Sequence, residues 1–309
     1  MGRDARDSPL IDVAGRESQF REHLWPVYRA LPDEIRGRWH GGQLDRSPLR
    51  AEVTLVASWG DYKRVQGRVL FLEHGVGTNY GDHPSFPGGS GKDRVELFLN
   101  ANHLSSAHNE RTYPKAKHAV IGAPKMDEWA GYRHVPNDPP VVALAFAERN
   151  NGVPEGKSAH PHYTKALREL VRNAPVRFIG HGHPRSWAKW SRFWKMIRVE
   201  PVQDFREVLQ RADVYCVDAS STAYEFASTG RPVVSLNAPW YRRDVHHGVR
   251  FWQYVPGIQV DDPAHLPGAI MRALAGEGED LRREAVDAVH PIRDGTATKR
   301  AVKAILEVL

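Results

Sequence analysis

The chain has 309 residues, 41% of them hydrophobic and 26% charged, a globular balance that excludes a disordered polypeptide. The net charge of +6 favours a polyanionic partner or an anionic surface. A single cysteine, Cys216, excludes an internal disulfide and fits a reducing cytoplasm, and the N-terminus lacks the apolar core of a signal peptide.

Residues 17–31 read as an amphipathic helix, with Phe20, Leu24, Val27 and Leu31 at helical spacing and Pro26 marking a kink or a start. Strand-like runs follow at Glu52–Ala57 and Arg68–Leu72, then a long glycine- and proline-rich loop. Two more runs, Val95–Asn100 and His118–Ile121, lead into Gly122-Ala123-Pro124. The polar, proline-rich stretch 134–140 is the expected boundary between a domain over 1–135 and a second over 141–309.

Beyond it the alternation becomes regular. Strands are expected at Val141–Phe146, Val176–Gly180, Ile197–Val199, Val214–Val217 and Pro232–Leu236. Helices are expected at 160–173, 187–197, 204–211, 221–229, 263–275 and 296–308. Strands alternating with helices mean parallel βαβ units, which bind ligands outside the carboxyl ends of their strands. The expected fold is α/β, with two Rossmann-type domains and an interdomain cleft.

The most informative stretch runs from Asp213 to Leu236. A strand ends in Asp218, and Ser220-Ser221-Thr222 open a helix whose free N–H groups and positive dipole end suit a diphosphate. Glu225, about one turn on, is placed to accept hydrogen bonds from a ribose. Gly230 ends the helix and Pro232 starts the next strand. The plainer alternative is that the hydroxyl residues only cap the helix.

That segment resembles the nucleotide-binding region of GT-B transferases, and most of all the CDP-glycerol glycerophosphotransferase family and its glycosyltransferase-like relatives. Further pieces agree in order: Glu73-His74-Gly75, then Gly122-Ala123-Pro124-Lys125-Met126-Asp127, then His183-Pro184-Arg185. The resemblance spans roughly residues 50–240, and it departs from the family at Thr78-Asn79-Tyr80. It implies a GT-B-like transferase that takes a CDP- or UDP-linked donor on the nucleotide-donor domain over 141–309, with the acceptor on the domain over 1–135 and no further cofactor.

His74 is the candidate general base, because a neutral imidazole can accept a hydroxyl proton near neutral pH. It follows a strand and is flanked by glycine. Glu73 and Asp82 are the fallback bases. His181, His183 and Arg185 end another strand and are expected to hold donor phosphates. No metal site is expected: the chain has no Asp-x-Asp pair, and the His-x-His at 181–183 has no carboxylate or cysteine cluster to complete it. A dinucleotide fingerprint, a Walker A loop and a lipase elbow are also missing.

The stretch Arg185–Arg198 sets Trp187, Trp190, Trp194 and Ile197 at helical offsets among five cations. It reads either as a core-facing stripe with a solvated basic back or as a surface for an anionic polymer (teichoic-type or DNA) or an anionic membrane. The expected location is cytoplasmic, with peripheral membrane attachment through that stretch as a variant, and homo-oligomer formation is left open. Rival readings are a phage-type glycosyltransferase acting on a hydroxylated DNA base or a protein, a nucleotide-sugar epimerase, and a non-catalytic nucleotide-binding protein.

Overall fold

A computed structural model describes residues 10–42, 49–75, 77, 85–147, 154, 157–243 and 250–309. The chain divides into two units, one built from residues 1–130 together with 290–309 and the other from 131–289.

In the first unit, apolar runs form parallel strands because both faces of the sheet are covered by helices. The strands are β1 (Ile11–Gly15), β2 (Arg36–Gly41), β3 (Leu49–Val56), β4 (Val65–Leu72), β5 (Val95–Asn100) and β6 (Lys117–Val120). Their order is β2-β1-β3-β4-β5-β6, all pairs parallel. Helix α1 (Ser18–Ala30) runs unbroken through Pro26 and buries Phe20, Leu24 and Val27 against one face. The expected kink is replaced by a continuous helix. Helices α2 (Trp59–Tyr62) and α3 (His103–Thr112) complete the first part of the unit.

The second unit opens with β7 (Val141–Phe146), buried along its whole length. It is followed by α4 (His160–Asn173), β8 (Arg177–Gly182), α5 (Trp187–Met196), β9 (Glu200–Pro201), α6 (Phe205–Arg211) and β10 (Val214–Val217). After these come α7 (Thr222–Ala227), β11 (Val233–Leu236), β12 (Ile258–Val260), α8 (Leu266–Leu274) and α9 (Glu279–Val289). The sheet order is β12-β11-β10-β7-β8-β9, all parallel. This is the doubly wound order in which the winding reverses between the first and fourth strands, here β7 and β10, and ligands of such sheets sit beyond that reversal.

One expectation is corrected by the fold. The closing helix α10 (Ala297–Leu306) belongs to the first unit and not to a domain over 141–309. Its stripe of Ala301, Ala304 and Ile305 joins the core that α1 covers. Alanines there let the two helices approach closely. The carboxylate of Asp127 accepts from the backbone N–H groups of Ala297 and Thr298, at 2.9 and 2.8 Å, and caps the helix across the chain.

For α5 the fold bears out the core-facing stripe with a solvated basic back. Trp190 and Trp194 are buried in the core of the second unit, while Lys189, Arg192, Lys195 and Arg198 are exposed. The aromatic part of the stretch is therefore core, and only its cations face outward. Among the described residues, no helix is long and apolar enough to cross a membrane.

Candidate functional site

In the second unit, strand β10 (VYCV) is wholly buried, and Asp218 follows it at the winding reversal. Its carboxylate accepts from Ala147 N–H at 2.7 Å, Ala159 N–H at 2.9 Å and the Ser158 hydroxyl at 3.2 Å. Burial pushes its pKa up to about 6, and those donors pull the other way. Asp218 thus ties the loop after β7 to the end of β10. A direct donor contact is not the role these partners give it.

The turn that follows carries a short chain of hydroxyls. Ser220 Oγ lies 2.8 Å from Thr222 Oγ1, which is 3.1 Å from the buried Tyr215 hydroxyl. Burial raises the Tyr215 phenol far above its ordinary value, so it stays a neutral hydrogen-bonding group. Ser221 occupies the N-cap of α7, with no hydrogen bond from its side chain to the helix. Glu225 sits within α7, 1% exposed. Gly230 has a φ of +84°, the left-handed conformation that closes a helix.

On the other side of β7, strand β8 delivers the histidines. His181 is buried, with Nδ1 2.9 Å from the Val202 carbonyl, and its own carbonyl accepts from Trp194 Nε1 at 3.0 Å. His183 Nδ1 accepts from Arg185 N–H at 3.3 Å and caps the short turn Pro184–Ser186. Arg185 is exposed. The structure thus gathers Ser220, Ser221, Thr222 and Glu225 after β10 and His181, His183 and Arg185 after β8, at the carboxyl ends of strands that flank β7.

In the first unit, His74 follows β4. Its ring meets Phe20 edge-on at 4.7 Å and His23 at 5.6 Å, both on α1. Burial, with Lys125 and His74 adding to it, holds the His23 pKa well below the usual histidine value. His23 is neutral beside the candidate base. Helical spacing could have pointed to it, because it lies three residues after the inward Phe20.

Glu73 has a different surrounding. Its carboxylate accepts from Lys92 Nζ at 3.2 Å and Asn109 Nδ2 at 3.0 Å. Lys92 is fully buried and lies 4.7 Å over the Phe71 ring. This buried pair anchors the glycine-rich loop to the sheet through Oε1, while Oε2 of Glu73 is buried with no hydrogen-bond partner among the described residues. Asp82 lies outside the described residues. Among the described residues, no group of three His, Cys, Asp or Glu side chains is placed to hold a metal ion.

Residues 164–307 match the family described as CDP-glycerol:poly(glycerophosphate) glycerophosphotransferase. No curated protein matches. Among solved structures, the chain resembles S. aureus MnaA in a co-structure with UDP, at 16% identity and a TM-score of 0.64, covering 98% of each chain. It resembles a variant of the wall teichoic acid polymerase TagF soaked with CDPG, at 11% identity and a TM-score of 0.65, covering 99% of this chain and 89% of that one. A putative UDP-N-acetylglucosamine 2-epimerase from Listeria monocytogenes aligns at 14% identity and a TM-score of 0.60, covering 97% of both. Motifs, sheet order and the match over the second half agree: the chain is a GT-B-fold enzyme that resembles the CDP-glycerol glycerophosphotransferases.

Proposed function

We propose that the chain transfers a glycosyl or glycerophosphate group from a CDP- or UDP-linked donor to an acceptor hydroxyl, without a metal ion. The observation that carries this reading is that the family match over residues 164–307 includes the whole Ser220–Glu225 turn at the winding reversal of the second sheet. The free N–H groups at the start of α7, with the Ser221 and Thr222 hydroxyls, face the donor diphosphate, and His183 and Arg185 add charge-assisted donors. Glu225 accepts from the ribose hydroxyls.

In the first unit His74 takes the proton of the acceptor hydroxyl. The acceptor oxygen then forms its bond to the transferred group. For glycerophosphate, the bond between the attacked phosphorus and the bridging oxygen breaks, and the nucleoside monophosphate leaves with the electron pair. For a sugar, the anomeric carbon–oxygen bond breaks and the nucleoside diphosphate leaves. Either leaving group gains charge that the α7 amides, Arg185 and His183 stabilise, the work a metal does in other transferases.

The likeness to MnaA and to the Listeria protein brings an epimerase into view. That chemistry needs a carboxylate acid/base pair, and Glu73 is held by Lys92 and Asn109. The transferase reading is the better supported. Calorimetry with CDP, UDP and CDP-glycerol tests it: Ser221→Ala with Glu225→Ala should weaken the preferred nucleotide by roughly tenfold or more. His74→Ala should keep that affinity and lose about two to four orders of magnitude in turnover. Unchanged affinity in the double variant removes α7 from the donor site, and wild-type turnover in His74→Ala removes the base.

A further inference from the structure

Helix α1 carries a histidine on the face it buries. Phe20, Leu24 and Val27 enter the core of the first unit, and His23 shares their side of the helix by its spacing from Phe20 and Val27. His23 is 7% exposed. An apolar side chain would fill that position without losing hydrogen bonds to water. An imidazole loses them unless a partner replaces them.

No such partner is present: His23 forms no hydrogen bond among the described residues. Its ring instead meets the ring of His74, with centroids 5.6 Å apart and planes at 61°. Phe20, one turn earlier, meets the same ring edge-on at 4.7 Å. Two side chains on one turn of α1 thus hold the imidazole of the candidate base. Gly75 follows with a φ of +77°, a turn that glycine makes without strain, so the chain bends away directly after His74.

A cation stands close by. Lys125, in the turn Pro124–Trp129, is 11% exposed, and its Nζ lies 3.9 Å from Glu22 Oε2, on the residue before His23. Its charge adds to burial in keeping His23 neutral. A neutral imidazole has one N–H donor and one acceptor nitrogen, and in His23 both are uncommitted. Ring nitrogens lie at the rim, so two imidazoles at this separation can both reach one oxygen at a hydrogen-bond distance of about 3 Å.

We propose that His23 is a second catalytic histidine, donating its ring N–H to the acceptor oxygen from which His74 takes the proton. The proton passes from the hydroxyl to His74, while His23 keeps its own proton and forms no covalent bond. The hydrogen bond from His23 strengthens as the oxygen gains negative charge, and the Lys125 ammonium favours the same state. This gives Lys125, within the Gly122–Asp127 motif, a use beyond its place in a turn. The assignment rests on the reading of His74 as the base.

The test uses two variants of the full chain. His23→Leu removes both ring nitrogens, and His23→Gln keeps an N–H donor. Both should unfold at the denaturant concentration of the wild type or above it, and calorimetry should show unchanged affinity for CDP-glycerol. With CDP-glycerol as donor and glycerol as acceptor, His23→Leu should lose about two to three orders of magnitude in kcat, the usual effect of removing one donor from a developing oxyanion. KM for the donor should stay the same, and His23→Gln should recover part of the loss. Wild-type kcat in His23→Leu overturns the proposal. So does a His23→Gln variant no faster than His23→Leu, because the N–H is then not what matters. Loss of turnover in His74→Ala with none in His23→Leu sinks this assignment alone, whereas wild-type turnover in His74→Ala sinks the base reading beneath it.

Discussion

His290 sits in the first unit 1% exposed, with neither ring nitrogen hydrogen-bonded among the described residues. Burial, reinforced by Arg293 and Lys125, lowers its pKa to about 4. Because the folded value lies below the unfolded one of about 6.5, the unfolded chain alone takes up a proton in the interval between them. Stability is fully present above about pH 6.5 and is lost as pH falls towards about 4. His160 acts with the same sign in the other unit. Replacing His290 by Leu removes both the acid sensitivity and two unsatisfied polar atoms. Denaturant unfolding should show the variant gaining roughly 1–3 kcal/mol on the wild type on going from neutral to mildly acidic pH. Parallel pH profiles would show that His290 is not buried in its neutral form. Neighbouring residues differ just as sharply in role: Glu73 is an anchor while His74, next in the chain, remains the candidate base.

Helix α5 shows how an element explains its own sequence. A Cβ on Gly180 would stand 2.3 Å from the Trp194 ring, and one on Gly182 would stand 2.4 Å from the Trp190 ring. Real side chains do not approach that closely, so the glycines around His181 are there to let the tryptophans lie on β8. Packing, and not access for a substrate, accounts for that spacing. Trp194 is completely buried and donates to the His181 carbonyl. Trp194→Ala should therefore cost about 3–5 kcal/mol in chemical denaturation, the usual penalty for removing a large buried aromatic. A loss below about 1 kcal/mol, the size of a surface change, would contradict the core assignment. Cationic substitutions on the opposite face, at Arg192 or Lys195, belong to that surface class.

At the scale of the whole molecule, the chain returns to its first unit after completing the second. Helix α10 fills the face beside α1, and Asp127 caps it. Ending the chain before residue 297 should destabilise the first unit by at least about 3 kcal/mol, combining the burial of Ile305 with a lost cap. Limited proteolysis should then cut the first unit while the second stays folded and binds nucleotide. Equal protection of both units would show that α10 is dispensable to the core it joins.

Much of the second unit was legible from sequence alone. Its strands are short apolar runs and its helices keep a clear period, and both are local properties of consecutive residues. The order of the motifs and their resemblance to a transferase family are likewise linear facts. β1, β2, α2, α3, β12 and α9 escaped that reading, and the strand expected at Ile197–Val199 forms instead at Glu200–Pro201. β2 (RGRWHG) is an example: it is polar and only half-buried, and its strand state comes from pairing with β1. The side chosen by α10 was decided by tertiary packing, as were the engagement of Glu73 by Lys92 and of Asp218 by Ser158, and the burial of the α5 tryptophans. The physical reason is distance along the chain. Asp218 meets partners 59 to 71 residues away, so no local pattern records whether its carboxylate is occupied or available.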